Sequence, residues 1–337
     1  MMNIRLPKVL LGLTLTIFAL GSLCTTTVGA ETSSANAAQG LEISPTLVEL
    51  NAMRGNTYTI KLKLRNVTAS DLQYSASVDD FAASDETGSP HILVDSKLPV
   101  TASIKTWFDD ISTFVLKSQQ SFEVQAQVTI PKDAEPGGHY GVLRFSGAAP
   151  EIESTGVGLS ASAGVLILIR VDGDIVEKAS LASFFSAGSD GKQSSMFEYA
   201  PVTLVTRVKN DGNIHVKPVG SIELKDMFGN IVKTIPVNND KSNVLPDSIR
   251  RFESKYDTGW MVGRYTASLT IGYGTTGQAL TSTINFWVIP YKIIGAGILV
   301  LATIIFIFKR LIAVYNRRII EKAKNEIENK NKHNKRS

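Results

Sequence analysis

The chain has 337 residues, of which 43% are hydrophobic and 20% are charged, with a formal net charge of +4. This is long enough for two domains with their own cores and too apolar for a disordered chain. The positive charge is concentrated at one end, where residues 309–337 contain ten Lys or Arg and three Glu. It therefore gives no reason to expect nucleic-acid binding.

The first 30 residues have the pattern of a secretory signal peptide. Arg5 and Lys8 precede an apolar run over residues 9–23, and small residues at 28–30 form a cleavage site. The chain's one cysteine, Cys24, lies in this segment, so the mature protein is expected to lack disulfides, thiol nucleophiles and cysteine-bound metals. The alternative, a lipid-anchored Cys24, has Leu23 where such sites carry Gly or Ala. Residues 31–40 are small and polar, and we expect a flexible leader there.

Alternation of apolar and polar residues predicts β-strands through the next 250 residues. Residues 57–65 and 122–130 alternate strictly, and further strands are predicted at 43–50, 72–80, 139–146 and 158–171. Short strands without long helical patterns favour a sandwich. The predicted fold class is all-β, with two tandem immunoglobulin-like β-sandwiches followed by a single C-terminal transmembrane α-helix. The membrane-distal sandwich is predicted over 41–174 and the membrane-proximal one over 175–287.

A weak internal duplication supports two similar domains. A Gly-x-Tyr sequence opens a late strand in each half, and it contains Tyr140 in the first half and Tyr265 in the second. Immunoglobulin-type sandwiches place a corner tyrosine near such a position, with its hydroxyl bonded back to nearby backbone. We therefore expect structural corner roles for Tyr140 and Tyr265.

An almost uninterrupted apolar run predicts a transmembrane helix at residues 288–308. Its 21 residues would span roughly 31 Å, which is about the thickness of a bilayer core. Trp287 and Tyr291 lie where interfacial aromatic residues are expected. The basic tail, 309–337, is expected in the cytoplasm by the positive-inside rule, so the sandwiches are expected outside the cell. The tail either only fixes this topology or lies on anionic lipid as an amphipathic helix.

The sequence gives no clear sign of catalysis or of a bound metal or cofactor. No nucleophile elbow, zinc-protease helix or phosphate-binding loop is present. His91, His139 and His215 have no partner at metal-ligand spacing. The pairs at 79–80 and 109–110 are adjacent carboxylates, which point to opposite faces of a strand and are expected to serve turns instead of acid-base chemistry.

Trp107 and Phe108 are the candidate ligand contacts. They lie in a polar stretch between the early and late strands of the first domain. Exposed aromatic rings can stack on sugars or anchor a protein partner. The alternative is that the pair covers one end of the sandwich core.

The chain resembles the WxL-interacting proteins of Gram-positive bacterial surfaces. The resemblance rests on a Ser44-Pro45 strand followed by Gly55 and Asn66, on the sequence PGGHYGVLRF at 136–145, and on the order of signal, two domains, span and basic tail. It implies that the first domain contacts peptidoglycan and that the second engages a partner protein or host ligand.

These observations predict a non-enzymatic, single-pass protein of the cell membrane. Its external domains are expected to bind peptidoglycan, another cell-wall polymer or a surface protein, with no cofactor and no nucleic acid. Two other functions stay open, namely a structural stalk or subunit of a surface complex, and an adhesin for a host ligand.

Overall fold

The computed structural model describes residues 40–94, 98–148, 161–257 and 261–334. The predicted signal peptide lies outside these residues, as do the leader up to residue 39 and the last three residues of the tail. One long β-rich region is followed by one helix.

The described residues between 41 and 171 form the first sandwich. One of its sheets has the strand order β1-β3-β7, and the other has the order β2-β9-β8-β4-β5 with β6 also paired to β4. The described strands are β1 (Leu41–Ser44), β2 (Leu47–Ala52), β3 (Thr57–Asn66), β4 (Leu72–Ala83), β5 (Pro90–Leu93), β6 (Phe114–Leu116), β7 (Ser121–Thr129), β8 (Gly137–Ala148) and β9 (Ala161–Val171).

The alternation read from the sequence explains how these two sheets pack. On β3 the apolar residues Ile60, Leu62 and Leu64 are buried and the residues between them are exposed. They meet Ile167 and Ile169 of the facing sheet in one core. The strands predicted at 57–65 and 122–130 are confirmed by β3 and β7.

The single strand predicted at 43–50 is wrong, because the chain changes sheets in the middle of it. β1 pairs with β3 in one sheet, whereas β2 runs parallel to β9 in the other. The change falls at Pro45, which follows a cis peptide bond. Proline has no N–H to continue a ladder of hydrogen bonds, so a strand is readily interrupted there.

The described residues between 179 and 288 form the second sandwich, with a separate core. Its sheets have the strand orders β10-β12-β15 and β11-β17-β16-β13-β14. The strands are β10 (Ala179–Ala187), β11 (Met196–Phe197), β12 (Val202–Asn210), β13 (Val219–Lys225), β14 (Ile231–Val237), β15 (Ile249–Tyr256), β16 (Gly263–Tyr273) and β17 (Gln278–Val288).

The two sandwiches repeat one buried asparagine. Asn66 ends β3 and donates through Nδ2 to the carbonyl oxygens of Ser70 and Leu116, at 2.8 and 3.0 Å. Asn210 ends β12 and donates in the same way to Ile214 and Val244, at 2.8 Å each. Each side-chain oxygen accepts a backbone N–H two residues on. The ends of β3 and β12 therefore share one hydrogen-bonding geometry.

The helix α1 (Tyr291–Asn334) follows β17 after two residues. The part from Tyr291 to Asn325 is long and apolar enough to cross a membrane, judged by length and composition. The predicted start at Val288 is wrong, because Val288 is the buried last residue of β17 and pairs with Gly263. An apolar core strand runs directly into an apolar helix here, and composition alone does not separate them. α1 also continues through most of the basic segment.

Replacing either repeated asparagine should destabilise its own sandwich. Asn66→Ala removes four hydrogen bonds and Asn210→Ala removes three, all made by a buried side chain, which should cost roughly 2–4 kcal/mol of unfolding free energy. Urea unfolding of the full chain in detergent measures it. Asn51→Ala, at an exposed position on β2, is the control and should change stability by less than about 0.5 kcal/mol. Equal losses of stability at all three positions would contradict the structural role assigned to Asn66 and Asn210.

Candidate functional site: the cleft between the sandwiches

Asn213 fastens the linker, residues 172–178, to both sandwiches. Its backbone N–H donates to the Val176 carbonyl at 3.0 Å, and its Oδ1 accepts from the Val176 N–H at 2.8 Å. Its Nδ2 donates to Asp174 O at 2.8 Å. Its own carbonyl accepts from Gly138 of β8, also at 2.8 Å. Each polar group of one residue is thus used to join the linker, the first sandwich and the second.

Gly212 lets the linker approach this closely. A Cβ atom built on Gly212 would lie 2.2 Å from the Val176 carbonyl oxygen, so no side chain fits. The turn at 210–213 therefore needs a glycine for packing across the joint. The linker is bonded along its length and does not behave as a loose tether.

Tyr140 makes a second connection across the joint, and this corrects its predicted role. Its hydroxyl accepts a 2.8 Å hydrogen bond from the backbone N–H of His215, in the other sandwich. A corner tyrosine would bond to backbone in its own domain. Burial raises the pKa of the Tyr140 hydroxyl. Burial also lowers the pKa of the His215 imidazole, while the Glu49 carboxylate opposes that effect.

Tyr265 lies inside the second sandwich and far from the joint in the fold. It is buried on β16 and stacks on Phe286 with the ring centroids 5.8 Å apart. The contact that the structure gives it is core packing, and its corner role stays a prediction.

Two glutamates of the first sandwich reach cations of the second. The Glu86 carboxylate accepts from both Nε and Nη2 of Arg207, and the Glu86 carbonyl accepts from the Arg251 N–H at 2.7 Å. The hydrogen bond from Arg207 lowers the pKa of the Glu86 carboxyl. Glu49 is bound by Lys217 and by an amide group of the second sandwich. Burial raises its pKa, but these hydrogen bonds and the Lys217 charge lower it further, so the net pKa is below the ordinary value.

A cleft of about 370 Å³ lies between the joined sandwiches. Its apolar lining includes Phe81 and Leu98 of the first sandwich and Leu245 of the second. Its charged lining consists of carboxylates, among them Glu135 and Asp247, and no Lys or Arg of the described residues lines it. A second cleft of about 260 Å³ shares the Phe81 and Leu245 walls. The larger cleft is therefore lined by both apolar side chains and carboxylates.

Residues 98–104, which we call the cleft loop, form one wall of the larger cleft. Buried polar side chains of the first sandwich bond to this loop. Asp80 is buried on β4, and its carboxylate accepts from the Ser103 hydroxyl at 2.6 Å and from the Ile104 N–H at 3.0 Å. Hydrogen bonds to a carboxylate are stronger than neutral ones. The loop is thus fixed at its C-terminal end.

Two buried rings hold the rest of the cleft loop. The ring nitrogens of His139 lie 2.8 Å from the carbonyl oxygens of Ala102 and Glu135. The indole Nε1 of Trp107 donates to the Val100 carbonyl at 2.7 Å. The two rings are also in contact, with centroids 4.6 Å apart. They support a loop whose Leu98 and Val100 side chains are exposed.

The expectation that Trp107 contacts a ligand is wrong. Its side chain is only 2% exposed and belongs to the first core. Phe108 is half-buried, packs against the same core and bridges to Val128 of β7. The polar neighbours of this pair lie on the surface, whereas the two rings turn inward. The pair therefore fits the alternative interpretation, in which it covers one end of the sandwich core.

The site also contains residues that the sequence analysis did not select. Asp80 was set aside as half of a carboxylate pair, and His139 as a histidine without partners. Most of their partners are backbone groups, at Ala102, Ile104 and Glu135, and no sequence motif marks such groups. Within the described residues, no three His, Cys, Asp or Glu side chains come together in a way that could hold a metal ion.

No family model matches the chain, and no curated protein matches it. Similar solved structures include the class 5 fimbriae chaperone CfaA, with 12% identity and a TM-score of 0.39 over 72% of this chain and 98% of that chain. The E. coli chaperone DraB has 14% identity and a TM-score of 0.34 over 74% and 96% of the two chains. A protein of unknown function from Porphyromonas gingivalis W83 has 15% identity and a TM-score of 0.29 over 74% and 100%. TM-scores of this size support no conclusion about fold or function. The strand pairing and the two cores define the fold.

Removing the Asn213 side chain should loosen the joint. Asn213→Ala deletes the bonds to Asp174 and to the Val176 N–H, so the linker amides should exchange hydrogen faster and a protease should cut the linker sooner. Hydrogen exchange and limited proteolysis of the detergent-solubilised chain measure this. Asn51→Ala is the control. A linker equally protected in both variants would show that Asn213 does not hold it.

Acid should weaken the joint. The folded-state pKa of Glu49 lies below its ordinary value of 4.5, so its contribution to stability is complete above about pH 4.5 and is lost as the pH falls through the folded pKa. The folded-state pKa of His215 lies below 6.5, so its contribution declines in the same direction from about pH 6.5 downward.

Urea midpoints from pH 7.5 to 3.5 test this expectation. Glu49→Gln keeps hydrogen-bonding atoms but cannot titrate, so its midpoint should fall less steeply below pH 4.5 than that of the unmodified chain. Superimposable pH profiles would rule out a contribution from Glu49.

Proposed function

We propose that this chain is a non-enzymatic, membrane-anchored surface protein that binds an extended segment of a protein partner in the cleft between its sandwiches. The segment would carry an apolar side chain beside a Lys or Arg. The observation that carries the proposal is an apolar loop, fixed by buried polar groups, at the rim of an acidic cleft.

The outward side chains of the cleft loop supply the apolar part of the argument. Val100 is 58% exposed and Leu98 is 50% exposed. Three buried side chains hold the backbone beneath them, so binding would cost little conformational entropy. Exposed apolar groups on a rigid support are typical of interaction sites.

The charge of the cleft supplies the second part. Glu135 and Asp247 face it from opposite sandwiches, and no Lys or Arg among the described residues balances them in its lining. A basic residue beside the apolar side chain would complement them and would favour such a partner over an acidic one.

The polar groups at the cleft favour binding over catalysis. The Asp80 carboxylate is occupied by the cleft loop, and both ring nitrogens of His139 face backbone carbonyls. Neither is positioned to act as an acid or base on a molecule in the cleft.

The anchor and its orientation are part of the proposal. α1 would cross the cell membrane once, with the basic tail in the cytoplasm and the sandwiches outside. The sandwiches would be of the immunoglobulin-like type, and membership of the WxL-interacting proteins stays a proposal based on sequence resemblance. Peptidoglycan binding stays an alternative, although the buried Trp107 no longer offers a sugar-stacking surface.

A photo-crosslinking amino acid at position 100 tests the function in intact cells that express the full chain. We expect one discrete protease-sensitive adduct, and none at the control position Val115, which is 53% exposed on the same sandwich. Asp247→Asn removes one cleft charge and tolerates the residue's positive φ of 55°, so it should lower the adduct yield several-fold.

The other outcomes contradict the proposal in different ways. An adduct that resists protease but is released by a peptidoglycan hydrolase would replace the protein partner with cell-wall polymer. Equal adducts at positions 100 and 115 would mean that the cleft has no special role. An adduct yield unchanged by Asp247→Asn would contradict the proposal that the partner places a Lys or Arg in the cleft.

A further inference from the structure

The strand register gathers several loops at the end of the second sandwich from which α1 emerges. Val288 of β17 pairs with Gly263 of β16, so the two residues mark this end. Lys225 of β13 pairs with Thr266, three residues inside it, so the turn at 226–230 reaches the same level. β11 runs parallel to β17, with Met196 beside Trp287, so the chain after β11 leaves at this end as well.

Large apolar side chains are exposed at this end, which we call the helix end. Phe228 is 82% exposed, the highest value among the large apolar side chains of the described residues. It lies at the tip of the turn at 226–230. The other exposed side chains are those of Met196, Tyr199, Met227, Ile231, Val262 and Trp287.

The turn that carries Phe228 is rigid. The Asp226 carboxylate accepts from the Phe228 and Asn230 N–H groups, both at 2.9 Å, and from Asn230 Nδ2 at 3.0 Å. Gly229 supplies the positive φ of 85° that the turn requires. Met227 packs so closely on Gly263 that a Cβ there would lie 1.8 Å from its terminal carbon. The exposed Phe228 is therefore held in place and is not a mobile tip.

The connection to α1 is too short to move the helix end away from a membrane that α1 crosses. Two residues, Ile289 and Pro290, separate β17 from α1. Ile289 is itself bonded to the Phe197 carbonyl at 2.8 Å, and the Lys292 ammonium meets the Glu198 carboxylate at 2.8 Å. Two extended residues span at most about 7 Å, which is comparable to the thickness of the interfacial region on one side of a bilayer.

We propose that the helix end is a lipid-contact surface, with Phe228, Met227 and Val262 inserted among the headgroups and upper acyl chains of the membrane that α1 crosses. Arg264 pairs with Trp287 in the strand register and is exposed beside it. In the proposed arrangement a guanidinium and an indole therefore lie at the membrane–water interface, where both groups are favoured. The second sandwich then rests on the bilayer, and the cleft is presented at a fixed height. This inference rests on the proposed membrane crossing of α1.

Spin labels on the full chain in lipid vesicles test the proposal. Cys24 is replaced by serine, and single cysteines are placed at positions 228, 262, 176 and 299. Collision rates with oxygen, which concentrates in lipid, and with a water-soluble nickel complex are compared at each. We expect the ratio of oxygen to nickel collisions to be several-fold higher at 228 and 262 than at Val176, an exposed linker residue remote from this end.

The label at Leu299, within α1, separates failure of this inference from failure of the anchor. A lipid-type ratio at 299 with a water-type ratio at 228 and 262 would overturn the lipid contact while leaving the membrane span intact. A water-type ratio at 299 would overturn the span itself. Low collision rates with both reagents at 228 would mean that a protein covers the helix end, which also contradicts the proposal.

A second variant tests whether the contacts act together. Phe228→Asp, with the label at 262, places a charge at the proposed depth and should lower the oxygen-to-nickel ratio at 262. Phe228→Leu keeps an apolar side chain and should leave that ratio unchanged. Equal ratios in the two variants would show that Phe228 does not hold this end in lipid.

Discussion

The structure depends on the bonds through which Asn213 holds the linker. Two sandwiches joined by a free seven-residue segment would sample many orientations, and a cleft between them would exist only part of the time. Here the linker is bonded on both sides of Val176, and the carbonyl of the same asparagine reaches Gly138 of the first sandwich. The joint becomes part of the fold, and the cleft becomes a permanent feature.

A fixed cleft also needs a fixed wall, and buried polar groups hold the cleft loop in place. Burying a carboxylate such as Asp80 is costly unless hydrogen bonds compensate it. Asp80 accepts two bonds from the cleft loop, and His139 meets two carbonyls. These residues fix a loop that contributes Val100 to the surface instead of the core. The proposed lipid contact would extend the same rigidity to the membrane, since β17 leads into α1 without a flexible segment.

The sequence predicted the local structure well because period-two alternation is a local signal. The apolar face of residues 57–65 is the buried face of β3, and the apolar run after residue 290 is the helix. What the sequence missed depends on contacts between distant residues. Tyr140 bonds to a residue 75 positions away. Trp107 has polar neighbours in the sequence and a core on its other side, so its burial depends on how the sheets meet. The start of α1 was misplaced because Val288 is apolar for packing in a sandwich and not for contact with lipid.

The most direct test of the account is the distance between the two sandwiches in solution. Paired spin labels at Val115 and Val232, both exposed, report it in the full chain with Cys24 replaced by serine. The account predicts one narrow distance distribution at neutral pH, and a clearly broader one when Asn213 is changed to Ala. A broad distribution in the unmodified joint would mean that the sandwiches move independently, and it would contradict the claim that the fold builds a permanent binding cleft.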